Sequence, residues 1–247
     1  RFDGVIGSGG GAGRSTSITN IVSGTSGTIM ALEATLNNNT ANNSSPLYTT
    51  IPTPFFCAGI GANYNPGTVD PNGDSLSYSL VPGLLGGSGG TVTYLTGYSA
   101  TAPLSCSTGT FSFSATTGQL SFTPNIVQRS LVVNKVEEYR GGVLVGTSMR
   151  EMTFVVLSSC SGNPPTGAMS SASAGTLNSA GTILNVCKSS GTLTFSLNPT
   201  DPEGDTINMQ WSGIPAGATY SVTNNNTTAL TGSFSWNLSR VTPGSYN

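Results

Sequence analysis

The run LVVNKVEEYRGGVLVGTSMREMTFVVL, Leu131 to Leu157, holds two long segments of β-branched and apolar residues on either side of Gly141-Gly142. Two adjacent glycines between strand-forming runs supply the positive φ angles that a two-residue hairpin turn requires, so the stretch is expected to be a long antiparallel hairpin. Six of the eighteen charges of the chain lie in it: Lys135, Glu137, Glu138, Arg140, Arg150 and Glu151. Mixed signs on paired strands are read as a solvated face with cross-strand pairs, each contributing about a few tenths of a kcal/mol.

Outward from the hairpin the same signal recurs. GTIMALEATL (Gly27 to Leu36), SLSYSL (Ser75 to Leu80), TGTFSFS (Thr108 to Ser114) and GQLSFTP (Gly118 to Pro124) mix β-formers with alternation. Helical periodicity is interrupted wherever it begins, and the fold class expected is all-β. At 247 residues the chain is long enough for two ordinary domains. Only 7% of residues are charged, so hydroxyls and amides must solvate the surface. The net charge of −2 offers no basic patch for nucleic acid. No apolar run reaches the roughly 20 residues that a membrane span needs.

Two acidic turns punctuate the strands. VDPNGDSLSYSL (Val69 to Leu80) and TDPEGDTINMQW (Thr200 to Trp211) carry five of the ten carboxylates of the chain. Each places oxygen-bearing side chains at alternate positions, Asp70, Asn72, Asp74 and Asp201, Glu203, Asp205, with Pro second and Gly fourth. Such spacing can converge on calcium, which takes six to eight oxygens. The plain alternative is a turn: Asp caps local N–H groups, Pro fixes φ, and Gly occupies the left-handed position. The plain turn is the primary reading, and the six residues remain candidate calcium ligands.

Aligning the turns exposes a repeat. Asp70 and Asp201 lie 131 positions apart, whereas TGQLSFTP at Thr117 and its counterpart TGSFSWNL at Thr231 lie 114 apart, which places an insertion of 17 residues in the first copy. It falls in the Gly-rich stretch ending near Cys106. SGNPPTG (Ser161 to Gly167) reads as a short linker. The expected organisation is therefore the final strands of a preceding module over 1–50, a sandwich over 51–160, and a second sandwich over 161–247. The last is expected to lack its closing strand, so the chain reads as an excerpt of a longer protein.

Catalysis finds little footing. The chain has no histidine, which removes Ser-His-Asp and Cys-His arrangements, and carboxylates in a solvent-facing turn lack a cleft; no catalytic residues and no enzymatic activity are expected. Four cysteines without a C-x-x-C favour disulfides over zinc, and with them an extracytoplasmic setting. Two bonds are expected, Cys160–Cys187 across the linker and Cys57–Cys106 tethering the inserted loop; the rival is Cys57–Cys160. Trp211 and Trp236 sit in alternating runs and are expected in cores.

The string formed by the cysteine, DPNGDSLSYSL, TGQLSFTP and VEEYRGGVLVGTSMRE resembles the tandem cadherin-like and Ig-like repeats of giant Bacteroidetes surface proteins. These include gliding-motility adhesins exported by the type IX secretion system. IPAGATYSV with TGSFSW also resembles the bacterial Ig-like module. The resemblance covers most of residues 15–247 and implies antiparallel β-sandwiches strung end to end in a cell-surface fibre. It implies a role in adhesion, with surface glycans or another cell as partners; the low charge separately leads to the expectation that neighbouring copies associate laterally into a homo-oligomeric fibre. Related modules often carry a further cysteine pair near the positions of Thr194 and Ser235, which this chain lacks. DSL and DTI resemble the short O-glycosylation sites of the same bacteria, with Ser75 and Thr206 as acceptors. The alternative function is a carbohydrate- or ligand-binding sandwich.

Overall fold

The computed structural model describes residues 2–241 apart from 4, 7–9, 12, 23–28, 38, 40–41, 51, 87–88, 159, 161, 189–190 and 212–213. The expected missing closing strand concerns 242–247, outside the described residues. The protein is all-β, with no α-helix among the described residues and antiparallel sheets consistent with β-sandwich modules. It divides into two compact units, Arg1–Cys160 and Ser161–Tyr246.

The hairpin is the spine of the first unit. Strand Gln128–Arg140 pairs along its length with Val143–Leu157, with Gly141 and Gly142 at φ 57° and 82° in the turn. A bulge between Glu138 and Tyr139 shifts the register near the tip. Ser75–Leu80 flanks one side of the hairpin; on the other, Ala34–Leu36 pairs antiparallel and Phe55–Cys57 pairs parallel with different parts of Val143–Leu157.

Both faces of this sheet are covered. On one, Val132 and Phe154 pack against Tyr64, Leu120 and Phe122, which belong to the small sheet of Ala62–Tyr64, Leu120–Phe122 and Ser112–Phe113. Phe154 meets Tyr64 edge-on with ring centroids 5.1 Å apart. On the other, Leu131 and Val133 pack with Ile18, Ile21 and Val92. Neighbouring residues of a strand face opposite ways, so the unbroken apolar run LVV is explained by burial on both sides.

The segment expected to close a preceding module instead supplies this second cover. The side chain of Asn20, fully buried, donates to the Pro103 and Leu131 carbonyls at 3.0 Å each and accepts from the Leu131 N–H at 2.9 Å. The Arg14 guanidinium makes a paired contact with Glu151 at 2.6 Å through both Nε and Nη2. Residues 14–22 and 29–36 thus belong to the hairpin's own unit, because its second apolar face has to be covered.

In the second unit the sheet order is Met169–Ser170, Thr192–Leu197, Thr231–Asn237, Ala218–Thr223. Its core gathers Leu193, Trp236 and Leu238, and Phe195 stacks on Phe234 at 4.6 Å. The second acidic turn does not lead into a strand as the repeat suggests. Beyond it, Ile207 makes an isolated bridge to Thr227, and among the described residues no long hairpin lies beside it to pair against.

Candidate functional site

The two acidic turns close in the same way. Asp70 Oδ1 accepts the N–H groups of Asn72 and Asp74 at 2.8 and 2.9 Å, and the Gly73 N–H donates to the Asp70 carbonyl at 3.2 Å with φ at 78°. Asp201 Oδ1 accepts from Glu203 and Asp205 at 2.9 and 3.1 Å, with Gly204 at φ 79°. An Asp side chain standing in for a backbone acceptor and a left-handed glycine account for both turns without an ion.

What surrounds them differs. Asp74 is buried and takes both of its contacts from Arg140, Nε to Oδ1 and Nη2 to Oδ2 at 2.6 Å each. Arg140 lies across the sheet from the turn, on the hairpin strand paired with Ser75–Leu80, and also reaches Asn43 Oδ1 and the Asn42 carbonyl at 3.0 Å each. Asp74 holds the Arg140 guanidinium above its ordinary pKa. Asn43 Nδ2 in turn donates to Glu138 Oε2 at 2.8 Å.

Glu138 is wholly buried. Its cross-strand partner is Gly146, and a Cβ there would fall 2.5–2.8 Å from the Glu138 carboxylate. The glycine makes room for the acid. Carboxylate oxygens of Asp70, Asp74 and Glu138 lie within 4.8 Å of one another. Asp70 Oδ2 and Glu138 Oε1 are both buried and have no hydrogen-bond partner among the described residues. Burial pushes the Glu138 carboxyl above its usual range, and the negative charges of Asp70 and Asp74 push the same way; the Asn43 hydrogen bond and Arg140 oppose them.

The expected ligand set is redrawn by this geometry. Asn72 Oδ1 accepts the Ser44 N–H at 2.7 Å. In the second turn Glu203 and Asp205 are exposed, and Glu203 accepts from the Asn163 backbone at 3.2 Å and from its side chain. The carboxylate group within 4.8 Å draws on the first turn and the hairpin, not on the second turn.

The charged face of the hairpin also differs from the solvated face expected. Lys135 pairs with Glu137 of its own strand at 2.8 Å, and both are partly exposed. Glu138 is buried, Glu151 is sealed against Arg14, and the Arg150 guanidinium lies 4.9 Å from the Tyr48 ring centroid. Each is matched by a residue distant in sequence.

The disulfide scheme is corrected. The bond joins Cys57 to Cys160, with Cα atoms 6.0 Å apart. Phe55–Cys57 runs parallel to the end of the hairpin, with Cys57 beside Leu157, which brings Cys160 within reach. The expected Cys160–Cys187 and Cys57–Cys106 bonds are not formed, and Cys106 and Cys187 are free thiols. Cys106 bridges to Pro124 and packs on the core of the first unit, where burial raises its thiol pKa. Cys187 is exposed in the second unit.

Ser75 and Thr206, the proposed glycan acceptors, are both exposed. Trp236 is buried and donates to the Ala216 carbonyl at 3.1 Å, as a core tryptophan does. Trp211 is not in the core: it is 49% exposed and stands edge-on to Tyr220 at 5.3 Å. No family model matches the chain, and no curated protein matches it.

Proposed function

We propose that this chain is a non-enzymatic structural and adhesive segment of a large extracellular fibre on a bacterial surface. Its units are read as Ig-like or cadherin-like β-sandwiches in tandem, of the kind carried by the type IX-exported gliding adhesins its sequence resembles. The observation that carries the reading is the Cys57–Cys160 bond closing an all-β unit, since such bonds persist in oxidising, extracytoplasmic settings. The low charge of the chain fits close approach of neighbouring copies, and homo-oligomeric fibre neighbours are the partners proposed, with surface glycans or another cell as adhesion targets. Nucleic acid and membrane insertion have no place in this reading. Immunogold labelling of intact cells with antibody to the first unit tests it. Label on filaments at the cell surface, and loss of attachment when the gene is deleted, are expected. Signal found only after lysis, in the cytoplasm, refutes it.

A second reading, a carbohydrate- or ligand-binding sandwich, draws on Trp211. An exposed tryptophan beside Tyr220 offers an aromatic platform of the type that sugar faces stack on. Glycan-dependent quenching of tryptophan emission that is lost in Trp211→Ala would bring this reading forward. Absence of quenching across a panel of surface glycans would remove it.

A further inference from the structure

We infer that Asp70, Asp74 and Glu138 form a divalent-cation site of the calcium type, confined to the first acidic turn and completed by the hairpin. Three carboxylates meet there, and Arg140 is the cation paired within the group. With all three ionised the group carries two uncompensated negative charges in a place where Glu138 is wholly buried and Asp74 nearly so. Buried charge without a partner is strongly destabilising, so the group must be completed. A single shared proton would leave one negative charge over. A divalent cation neutralises both.

One observation beyond the clustering of acids points to a ligand, and a second explains how the acid is accommodated. Asp70 Oδ2 and Glu138 Oε1 are buried oxygens on separate elements that no donor among the described residues reaches. Gly146 keeps open the space that the Glu138 carboxylate fills, since a Cβ would collide with it. Oxygens bound to one calcium at about 2.3 to 2.6 Å stand as much as about 5 Å apart, so one ion can reach all three carboxylates, whose oxygens lie within 4.8 Å of one another. An all-oxygen, carboxylate-rich donor set selects hard cations. Calcium is favoured over magnesium because it accepts carboxylates in irregular geometry, with water completing its shell.

The second turn serves as an internal control. It has the same backbone closure, but among the described residues no carboxylate cluster and no ion pair involves it. The turn alone therefore does not make the site.

The test is calcium titration of the full chain, previously stripped with EDTA, by isothermal calorimetry and thermal unfolding. One calcium per chain is expected. At a hundredfold excess over Kd the melting temperature of the first unit should rise by about 5 to 10 °C, with magnesium at least about tenfold weaker. Glu138→Gln and Asp70→Asn keep side-chain shape, and each should abolish both signals, while Asp201→Asn should leave them intact. Near-ultraviolet circular dichroism of each variant reports whether it is folded, and either variant suffices if the other is not. No calcium heat in the wild-type chain overturns the inference. So does a calcium-induced shift that survives in a folded Glu138→Gln or Asp70→Asn variant, and so does stabilisation produced only by lowering pH, which would mean that the group takes a proton instead.

Discussion

Reducing the Cys57–Cys160 bond, or replacing both cysteines with serine, should destabilise the first unit and leave the second unmoved. The two cysteines are 103 positions apart. In the chain-entropy model a loop of that length restricts the unfolded ensemble by about 4.7 kcal/mol at 25 °C. For a unit of roughly 160 residues, each kcal/mol corresponds to about 2 to 4 °C, so the melting temperature should fall by about 10 to 20 °C. The distribution of aromatic residues makes the assay selective. Both tryptophans, Trp211 and Trp236, belong to the second unit, while the first is reported by tyrosines such as Tyr64 and Tyr78. Unfolding followed by tyrosine signals should shift on reduction, and the tryptophan transition should stay in place. Coincident tyrosine transitions for oxidised and reduced protein would refute the reasoning. A shift of the tryptophan transition, together with a Cys160–Cys187 peptide on non-reducing mapping, would refute the pairing itself.

Gly146→Ala should destabilise the first unit by about 2 to 3 kcal/mol, because the new methyl overlaps the Glu138 carboxylate in a strand paired on both sides. Chemical denaturation measures it; the Glu138→Ala, Gly146→Ala double variant should recover part of the loss, and additivity of the two changes would show that the collision is not the cause. Alkylation of the native protein at pH 8 should modify two thiols, Cys187 rapidly and Cys106 slowly, since burial holds the Cys106 thiol above its ordinary pKa. Equal labelling rates would contradict the packing of Cys106.

The hairpin and the turns were legible because their causes are local. Gly141-Gly142 sets its turn through its own φ angles, and Asp70 and Asp201 cap N–H groups two and four residues on. The all-β class followed from alternation within single strands. The residues that sequence reading misplaced depend on partners far along the chain. Glu138 looked like a solvated charge because Asn43 and Asp70, which help enclose it, lie 95 and 68 positions away. A signal was present in Gly146, an interior strand glycine that marks a close approach. The stretch 1–50 reads as the end of another module because the need for a second cover shows only when the apolar run LVV is read as buried on both faces. The cysteine pairing depended on a parallel contact between Phe55–Cys57 and the end of the hairpin, which no spacing in the sequence announces. Trp211 was expected in a strand that does not form.

The parallel seam sealed by Cys57–Cys160 also sets how far the chain can lengthen. A load applied at the two ends passes from Cys57 to Cys160 across the bond, so the intervening stretch, with the hairpin and the small sheet that covers one of its faces, carries no tension. The separation of 103 positions corresponds to about 350 Å of extended chain that stays in reserve while the bond is oxidised. Reduction would release it, so extensibility under load would vary with the redox state of the surroundings.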